Sequence, residues 1–283
     1  MDKPAGPTSH DVVIGVRRAL GIRSAGHTGT LDPFATGLML VLVGRATRLA
    51  RFVSGQPKRY LATARLGFAT TTDDATGDPV GPLRESPAPT TAEVRAALEA
   101  FRGDSLQRPP AYSARHVDGE RSYRLARRGV EVALPESPVT VHAIALVEMH
   151  GHTVVFRATV SAGTYVRALA RDLGERLGTG AHLTALRREA IGRFDIGQAV
   201  PLARLGRDTP LLSPLDVVAH LPVRILDAGA VRDVSHGRSI ERGVVDGRLE
   251  EGAPVALVFE GRLAAVGELR EGRLHPGVVL ENA

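Results

Sequence analysis

The sequence predicts an α+β fold: a mixed, mainly antiparallel sheet with flanking helices, followed by a small C-terminal β module. Three observations carry this. Tyr60, Ala62, Ala64 and Leu66 alternate with Leu61, Thr63 and Arg65, and Val154, Phe156, Ala158 and Val160 alternate with Val155, Arg157 and Thr159, the period of strands with one buried face. Val12, Val16 and Leu20 recur at helical spacing, as do Val166, Leu169, Ala170, Leu173 and Leu177. Beyond Leu226, short apolar pieces (Val255 to Phe259, Leu263 to Val266, Val278 to Leu280) are separated by Glu-Gly turns.

Taken in order, Thr8-Ser9 caps a helix over 10–20 that stops at Gly21. The apolar run Leu38 to Val43 reads as one buried strand, and residues 45–54 as a short helix. A strand begins at Tyr60, which therefore points inward. Thr70 to Gly77 is a polar loop. Thr90 with Glu93 forms a capping-box pattern opening a helix that runs to Phe101. Between Arg108 and Pro138 the chain turns arginine-rich and proline-flanked, with Tyr112, His116, Arg121, Tyr123, Arg124, Arg127 and Arg128, which predicts an insertion forming a basic flap. Strands follow over Val139 to Met149 and Thr153 to Ser161, then a helix over 165–177. Prolines at 201, 210, 214 and 222 mark a connecting region. The expected organisation is a catalytic domain over 1–200 with its insertion at about 108–138, a connection over 201–225, and a β domain over 226–283.

Composition narrows the chemistry. The 283 residues are 43% apolar and 24% charged, enough for a full core. No apolar run approaches the roughly 20 residues that cross a bilayer, and no signal-peptide pattern opens the chain, so a cytoplasmic protein without membrane contact is expected. Without cysteine there is no disulfide, iron–sulfur cluster or thiolate zinc site, and none of the ten histidines pairs at the spacing of a zinc enzyme. Chemistry without a metal is the expectation. Net charge is +5, yet residues 1–60 hold nine basic side chains against three acidic ones. That field suits a polyphosphate partner, with nucleic acid foremost. From Leu226 onward ten acids face seven arginines, so the C-terminal module does not repeat the pattern.

The candidate site lies in Ala25-Gly26-His27-Thr28-Gly29-Thr30-Leu31-Asp32-Pro33-Phe34-Ala35-Thr36-Gly37, where glycines and a proline fix one carboxylate, Asp32, ahead of an apolar run. By itself Asp32-Pro33 also fits a plain side-chain turn. A second pointer is Arg167, which falls in the first turn of its helix, where the dipole disfavours a cation. Either it has an anionic partner nearby or it is one more exposed arginine in an arginine-rich chain.

These pieces, together with Asp2-Lys3-Pro4-Ala5-Gly6-Pro7-Thr8-Ser9, Lys58-Arg59-Tyr60, Pro110-Ala111-Tyr112-Ser113-Ala114, Ser161 to Arg167, Ala181-His182-Leu183 and Leu186-Arg187-Arg188, resemble the TruB-type tRNA pseudouridine-55 synthases from the first residues to about Phe194. The resemblance implies the pseudouridine synthase fold, a PUA-like C-terminal domain, no cofactor, and isomerisation of the T-loop uridine of tRNA through base flipping. Asp32 matches the family's essential aspartate, acting as nucleophile or as base. Arg167 matches the arginine that pairs with it, and Tyr60 the tyrosine stacked on the target uracil. Tyr165 and Leu186 match pocket-lining positions, and His27 the histidine that fills the space of flipped loop bases. Lys3 and Asp74 join the expected substrate-binding residues. The partner implied is tRNA, gripped at its T-arm and T-loop by a monomer whose insertion clamps the RNA.

Three positions depart from the family pattern. An apolar strand usually precedes Asp-Lys-Pro, whereas Met1 stands just before it here. His116 occupies a customary lysine position, and Thr71 a customary aspartate position. Two other readings remain at this stage: an RNA chaperone using the same surface without chemistry, and an RNA glycosidase, which would need a second acid across the bond.

Overall fold

A computed structural model describes residues 1–81, 87–113, 115–117, 119–130, 134–246 and 249–280. Ala114 of the Pro110 to Ala114 motif, residues 118 and 131–133 of the insertion, and Arg248 and Glu281 of the C-terminal charge count lie outside the described residues. The chain forms two compact units. One comprises Met1–Thr8, Leu31–Met39 and Gly55–Pro201; the other comprises Ser9–Thr30, Leu40–Ser54 and Leu202–Ala283.

The first unit is built on an eight-stranded sheet. Its order runs Asp2–Lys3, Thr36–Leu38, Ala181–Ile191, Lys58–Leu66, Thr153–Val160, Ser137–His150, Gly103–Gln107, with Phe194–Asp195 paired to Ala181–Ile191. Every pairing is antiparallel except that of Thr36–Leu38 with Ala181–Ile191. The sheet is therefore mixed and mainly antiparallel. The alternation of Thr153–Val160 is that of a half-buried strand: Val154, Phe156, Ala158 and Val160 are buried and Arg157 faces water. Helix Val166–Arg176 buries Ala168, Leu169, Ala170 and Leu173, and helix Thr91–Glu99 opens with the expected reciprocal Thr90–Glu93 cap.

The row of register partners Lys3, Gly37, Arg188, Tyr60 and Ala158 crosses five strands. At its crowded point, a Cβ on Gly37 would lie 2.3 Å from the Arg188 carbonyl oxygen, and Gly37 also holds a φ of +105°. Only glycine fits there. The described part of the insertion carries a two-stranded ribbon, His116–Val117 with Glu120–Arg121, and a helix, Ser122–Arg127, anchored by the buried Ser122 hydroxyl, which donates to the Ala111 carbonyl.

One expected strand divides. The run Leu38 to Val43 supplies the end of Thr36–Leu38 in the first unit and all of Val41–Val43 in the second, where it pairs with Ala25–His27. Between them the Met39 amide donates to the Met1 carbonyl and the Leu40 carbonyl accepts from the Thr28 amide. An unbroken apolar run reports burial, whereas the partners of its backbone groups decide how many strands it makes.

In the second unit, helix Ser9–Leu20 buries Val12, Val13 and Val16, and the 45–54 segment is a 3-10 turn, Gly44–Leu49, running into Ala50–Val53. A five-stranded sheet follows in the order Val223–Ile225, Pro254–Phe259, Arg262–Arg270, Arg273–Val279, Ile240–Glu241. Its core gathers Leu226, Val234, Val255, Leu257, Ala264 and Leu274. Val223–Ile225, expected in the connecting region, is an edge strand of this sheet. Part of the N-terminal basic field serves here as mortar: Arg45 and Arg48 donate to the Leu280 and Val279 carbonyls at 2.8 and 2.7 Å, and Arg51 pairs with Glu268 at 3.7 Å. Among the described residues no helix is long and apolar enough to cross a membrane.

Candidate active site

The first unit alone assembles the Asp32 loop, the Asp73-Asp74 loop and the start of helix Val166–Arg176. Lys3 sets the first of these. Its ammonium is fully buried and donates to the carbonyls of Pro4, Pro33 and Ala35 at 3.0, 3.1 and 2.6 Å, while Gly6 donates its amide to the Pro33 carbonyl at 2.8 Å. Burial lowers the Lys3 pKa to about 8, against the attraction of Asp32 and with the help of Arg188. Each free carbonyl of the loop that takes a lysine proton is one fewer needing water, which fixes Asp32 on a closed scaffold.

Arg167 reaches that carboxylate side-on: its Nε lies 2.9 Å from Oδ2 of Asp32, and its Nη2 donates to Oδ1 at 3.3 Å. The arginine side chain is 5% exposed and that of Asp32 34%. The same guanidinium donates to the Thr72 carbonyl at 2.7 Å and the Tyr112 carbonyl at 2.9 Å, and its Nη1 stands 3.5 Å from Oδ2 of Asp74. One planar fork thus joins three segments, and two carboxylates offset the misplacement of a cation at the positive end of the helix. The other oxygen of Asp74 accepts from the Thr72 hydroxyl at 2.8 Å and from the amide and hydroxyl of Thr76. The arrangement holds one partly exposed carboxylate, open to solvent, against a buried, fully engaged cation.

The remaining expected residues are distributed as follows. Tyr60 is buried on the face shared with its neighbour Arg188 and with the Leu186–Ala62 pair. Arg188 itself donates to the Leu38 carbonyl at 2.7 Å. Tyr165 precedes the helix, and its amide and carbonyl are both gripped by the Gln107 side chain, at 2.8 and 3.1 Å. His27 lies on Ala25–His27 in the second unit. His116 is exposed on the ribbon. Thr71, at the family's aspartate position, closes the Ala69–Thr70 and Pro79–Val80 hairpin by accepting from the Asp78 amide at 3.1 Å. Among the described residues no group of three His, Asp or Glu side chains is placed to hold a metal ion.

Sequence reasoning missed Gln107, Arg188, Asp73 and Arg171. The last two carried a readable signal: Arg167 and Arg171 are four apart on one helix, and tandem acids stand in one loop. Arg171 donates to Asp73 at 3.1 Å and to the Arg108 carbonyl at 3.0 Å.

Comparison with known proteins places the chain in a family. Residues 17–166 match the model of the TruB family pseudouridylate synthase N-terminal domain, and residues 167–211 that of the tRNA pseudouridylate synthase B C-terminal domain. The chain belongs to the TruB family. This TruB-family chain is 44% identical to tRNA pseudouridine synthase B of Synechococcus sp. (strain WH7803), over 99% of its length and 96% of the relative's. It is also 44% identical to that of Thermobifida fusca, with the same coverage, and 40% identical to that of Mycobacterium tuberculosis (strain ATCC 25618 / H37Rv), over 98% and 97%. Two solved structures share its fold. An archaeal box H/ACA sRNP Nop10–Cbf5 complex matches at a TM-score of 0.76 and 26% identity, over 99% of this chain and 85% of that one. An H/ACA RNP bound to a substrate RNA containing 2'-deoxyuridine matches at 0.74 and 25%, over 100% and 83%. The TruB-family chain is a pseudouridine synthase, an isomerase that converts uridine in tRNA to pseudouridine.

Proposed function

We propose that the uridine is the one at position 55 in the T-loop of tRNA, and that Asp32 acts on its sugar after the nucleotide has swung out of the loop. The reaction breaks the bond between C1' and N1 and forms one between C1' and C5, the C5 proton leaving and a proton returning to N1. No atom is gained or lost, so no co-reactant is required. What supports Asp32 is its side-on pairing with a buried Arg167 while a third of its own side chain stays open. A carboxylate so placed keeps its charge beside the reacting carbon and keeps its lone pairs aimed.

In this reading Tyr60 stacks on the extruded uracil, Tyr165 and Leu186 wall the pocket, and Asp74 backs Arg167 from the side away from the substrate. An aromatic face contributes about 1–3 kcal/mol per stacked base, which offsets much of the extrusion. Lys3 acts by fixing the loop under the nucleotide, and His27 fills the space that flipped bases vacate. The arginine-rich insertion holds the T-arm, the working form is a monomer, and the cytoplasm, where tRNA is processed, is its place of action.

The test uses tRNA tritiated at C5 of uracil. Wild type should release label without free base, and release should stop when position 55 alone is changed to cytidine. Asp32→Asn should lose at least about 10³-fold in rate, the scale of a lost acid, base or nucleophile, with tRNA affinity retained. Equal losses of rate and affinity would make Asp32 a scaffold residue.

A further inference from the structure

Beyond the pairing of Asp32 with Arg167, the structure assigns to Arg171 a positioning role: with Asp73 it seats the root of the 108–138 insertion so that the Tyr112 carbonyl holds Arg167 against Asp32. This rests on the assignment of Asp32 and Arg167 above.

The two arginines repeat one pattern a helical turn apart. Each binds one member of the tandem acids and one carbonyl at the insertion's root: Arg167 takes Asp74 and the Tyr112 carbonyl, Arg171 takes Asp73 and the Arg108 carbonyl. The inner clamp touches the candidate nucleophile. The outer one binds Asp73 and Arg108, which lie close in sequence to Asp74 and Tyr112, groups that hold the inner one. Arg171 is further tied to Asp172, with 2.8 Å between Nη2 and Oδ1, so its fork is fixed on three sides.

Asp73 carries unfavourable terms that a merely structural residue at this place would shed. It holds a φ of +60°, a region that non-glycine residues seldom occupy, and its side chain is buried. Burial pushes its carboxyl up to about 6, against the pull of Arg171 and Arg167 and with the push of Asp172. Both partners are raised, which disfavours the charge of Asp73 but favours that of Arg171, where burial is outweighed by Asp172 and Asp73. The acid is the group that yields, because an arginine does not give up its proton in this range. The loop's backbone does not need the pair: the Asp73 carbonyl already accepts from the Leu183 amide at 3.0 Å, and its amide donates to Thr70 at 3.2 Å. What the carboxylate adds is the aim of Arg171.

Single-turnover rates, tRNA affinity and Tm of Arg171→Met, Asp73→Asn and Asp73→Gly separate positioning from stability. Glycine accepts the left-handed backbone, so Asp73→Gly should keep or raise Tm. All three should lose about tenfold in single-turnover rate, as expected for a sub-ångström misplacement, with affinity within about threefold of wild type. The wild-type rate should fall as pH drops through about 6, where Asp73 takes up a proton, and that limb should vanish in Asp73→Asn. Rates within about twofold of wild type for Arg171→Met and Asp73→Gly, or losses confined to affinity, would overturn the role. An unimpaired Asp32→Asn would instead remove the reading beneath it, so the two failures are told apart.

Discussion

Arg167 is the residue on which most of the site's geometry converges, and its value lies in shape as much as in charge. Its fork makes two contacts to Asp32, donates to two main-chain carbonyls and faces Asp74, all from a nearly sealed position. Lysine at this place would bring one point charge with no plane, leaving at least one buried carbonyl without a donor. Arg167→Lys should therefore lower the single-turnover rate by about 100-fold or more through misplacement of the carboxylate and cost about 1–3 kcal/mol of stability through the orphaned carbonyl. Tritium release and urea denaturation measure the two effects, and a variant as fast as wild type would reduce Arg167 to a simple counter-charge. At this scale Asp32 and Arg167 were singled out before any coordinates, one by the glycines and proline around it and the other by its awkward place on a helix, although each alone also fits a plain turn or an exposed arginine and only the family resemblance joined them. Asp73 and Arg171 left only a weak trace, the four-residue spacing of Arg167 and Arg171 and the tandem acids, because in a chain whose basic residues are nearly all arginine a further arginine on a helix reads first as a solvated one. The reach of Arg171 to the Asp73 carboxylate and the Arg108 carbonyl separates it from a solvated face.

Helix Val166–Arg176 illustrates how an element is aimed by a residue that takes no part in chemistry. A glycine within a helix ordinarily costs about 1 kcal/mol relative to alanine, so Gly174→Ala should stabilise on propensity alone. Here a Cβ would fall 2.2 Å from the Ala181 amide nitrogen, at the start of the central strand Ala181–Ile191. The helix would have to lift from the strand to admit it. Gly174→Ala is thus expected to lose stability, by about 2 kcal/mol or more once close packing is violated, and to slow catalysis with it, because Arg167 and Arg171 move with the helix. Calorimetry alongside the tritium assay checks both, and a more stable, fully active variant would refute the packing argument. The helix itself, the two long antiparallel strands and the Thr90 cap were legible because their periods and caps are local properties. The division of Leu38 to Val43 was not, since it depends on distant backbone partners: Met1 for one half and Ala25 to Thr28 for the other. The C-terminal edge strand Val223–Ile225 was hidden for the same reason among prolines that mark a connection equally well.

For the whole molecule, the balance of charge differs from what a count of residues suggests. Two arginines of the N-terminal field, Arg45 and Arg48, hold carbonyls at the end of the C-terminal strand and Arg51 pairs with Glu268, so they cannot all be counted toward RNA. The first unit in turn buries the only two lysines together with Arg188. Burial, reinforced by Arg188, lowers Lys58 to about 8, as it does Lys3. A lysine whose folded pKa is depressed loses its proton in the folded chain first. Between about pH 8 and the unfolded value near 10.5 the unfolded state binds more protons, and stability must rise with pH. Asp73 works at the other end: its carboxyl, pushed up to about 6, keeps a proton in the folded chain that the unfolded chain has lost, so its contribution falls as pH rises from about 4 to 6. These three groups together place a shallow minimum of their summed contribution between about pH 6 and 8. The Tm of wild type relative to Lys58→Met should stay level through that window and climb toward pH 10, while wild type relative to Asp73→Asn should decline from pH 4 to 6 and then stay level. Selective 13C labelling of lysine, with only two signals to follow, should find both ammonium groups titrating near pH 8. Two lysines titrating near 10.5, with flat Tm differences, would mean that water reaches the sheet row joining Lys3, Gly37 and Arg188, and that the loop under Asp32 is less closed than its hydrogen bonds imply.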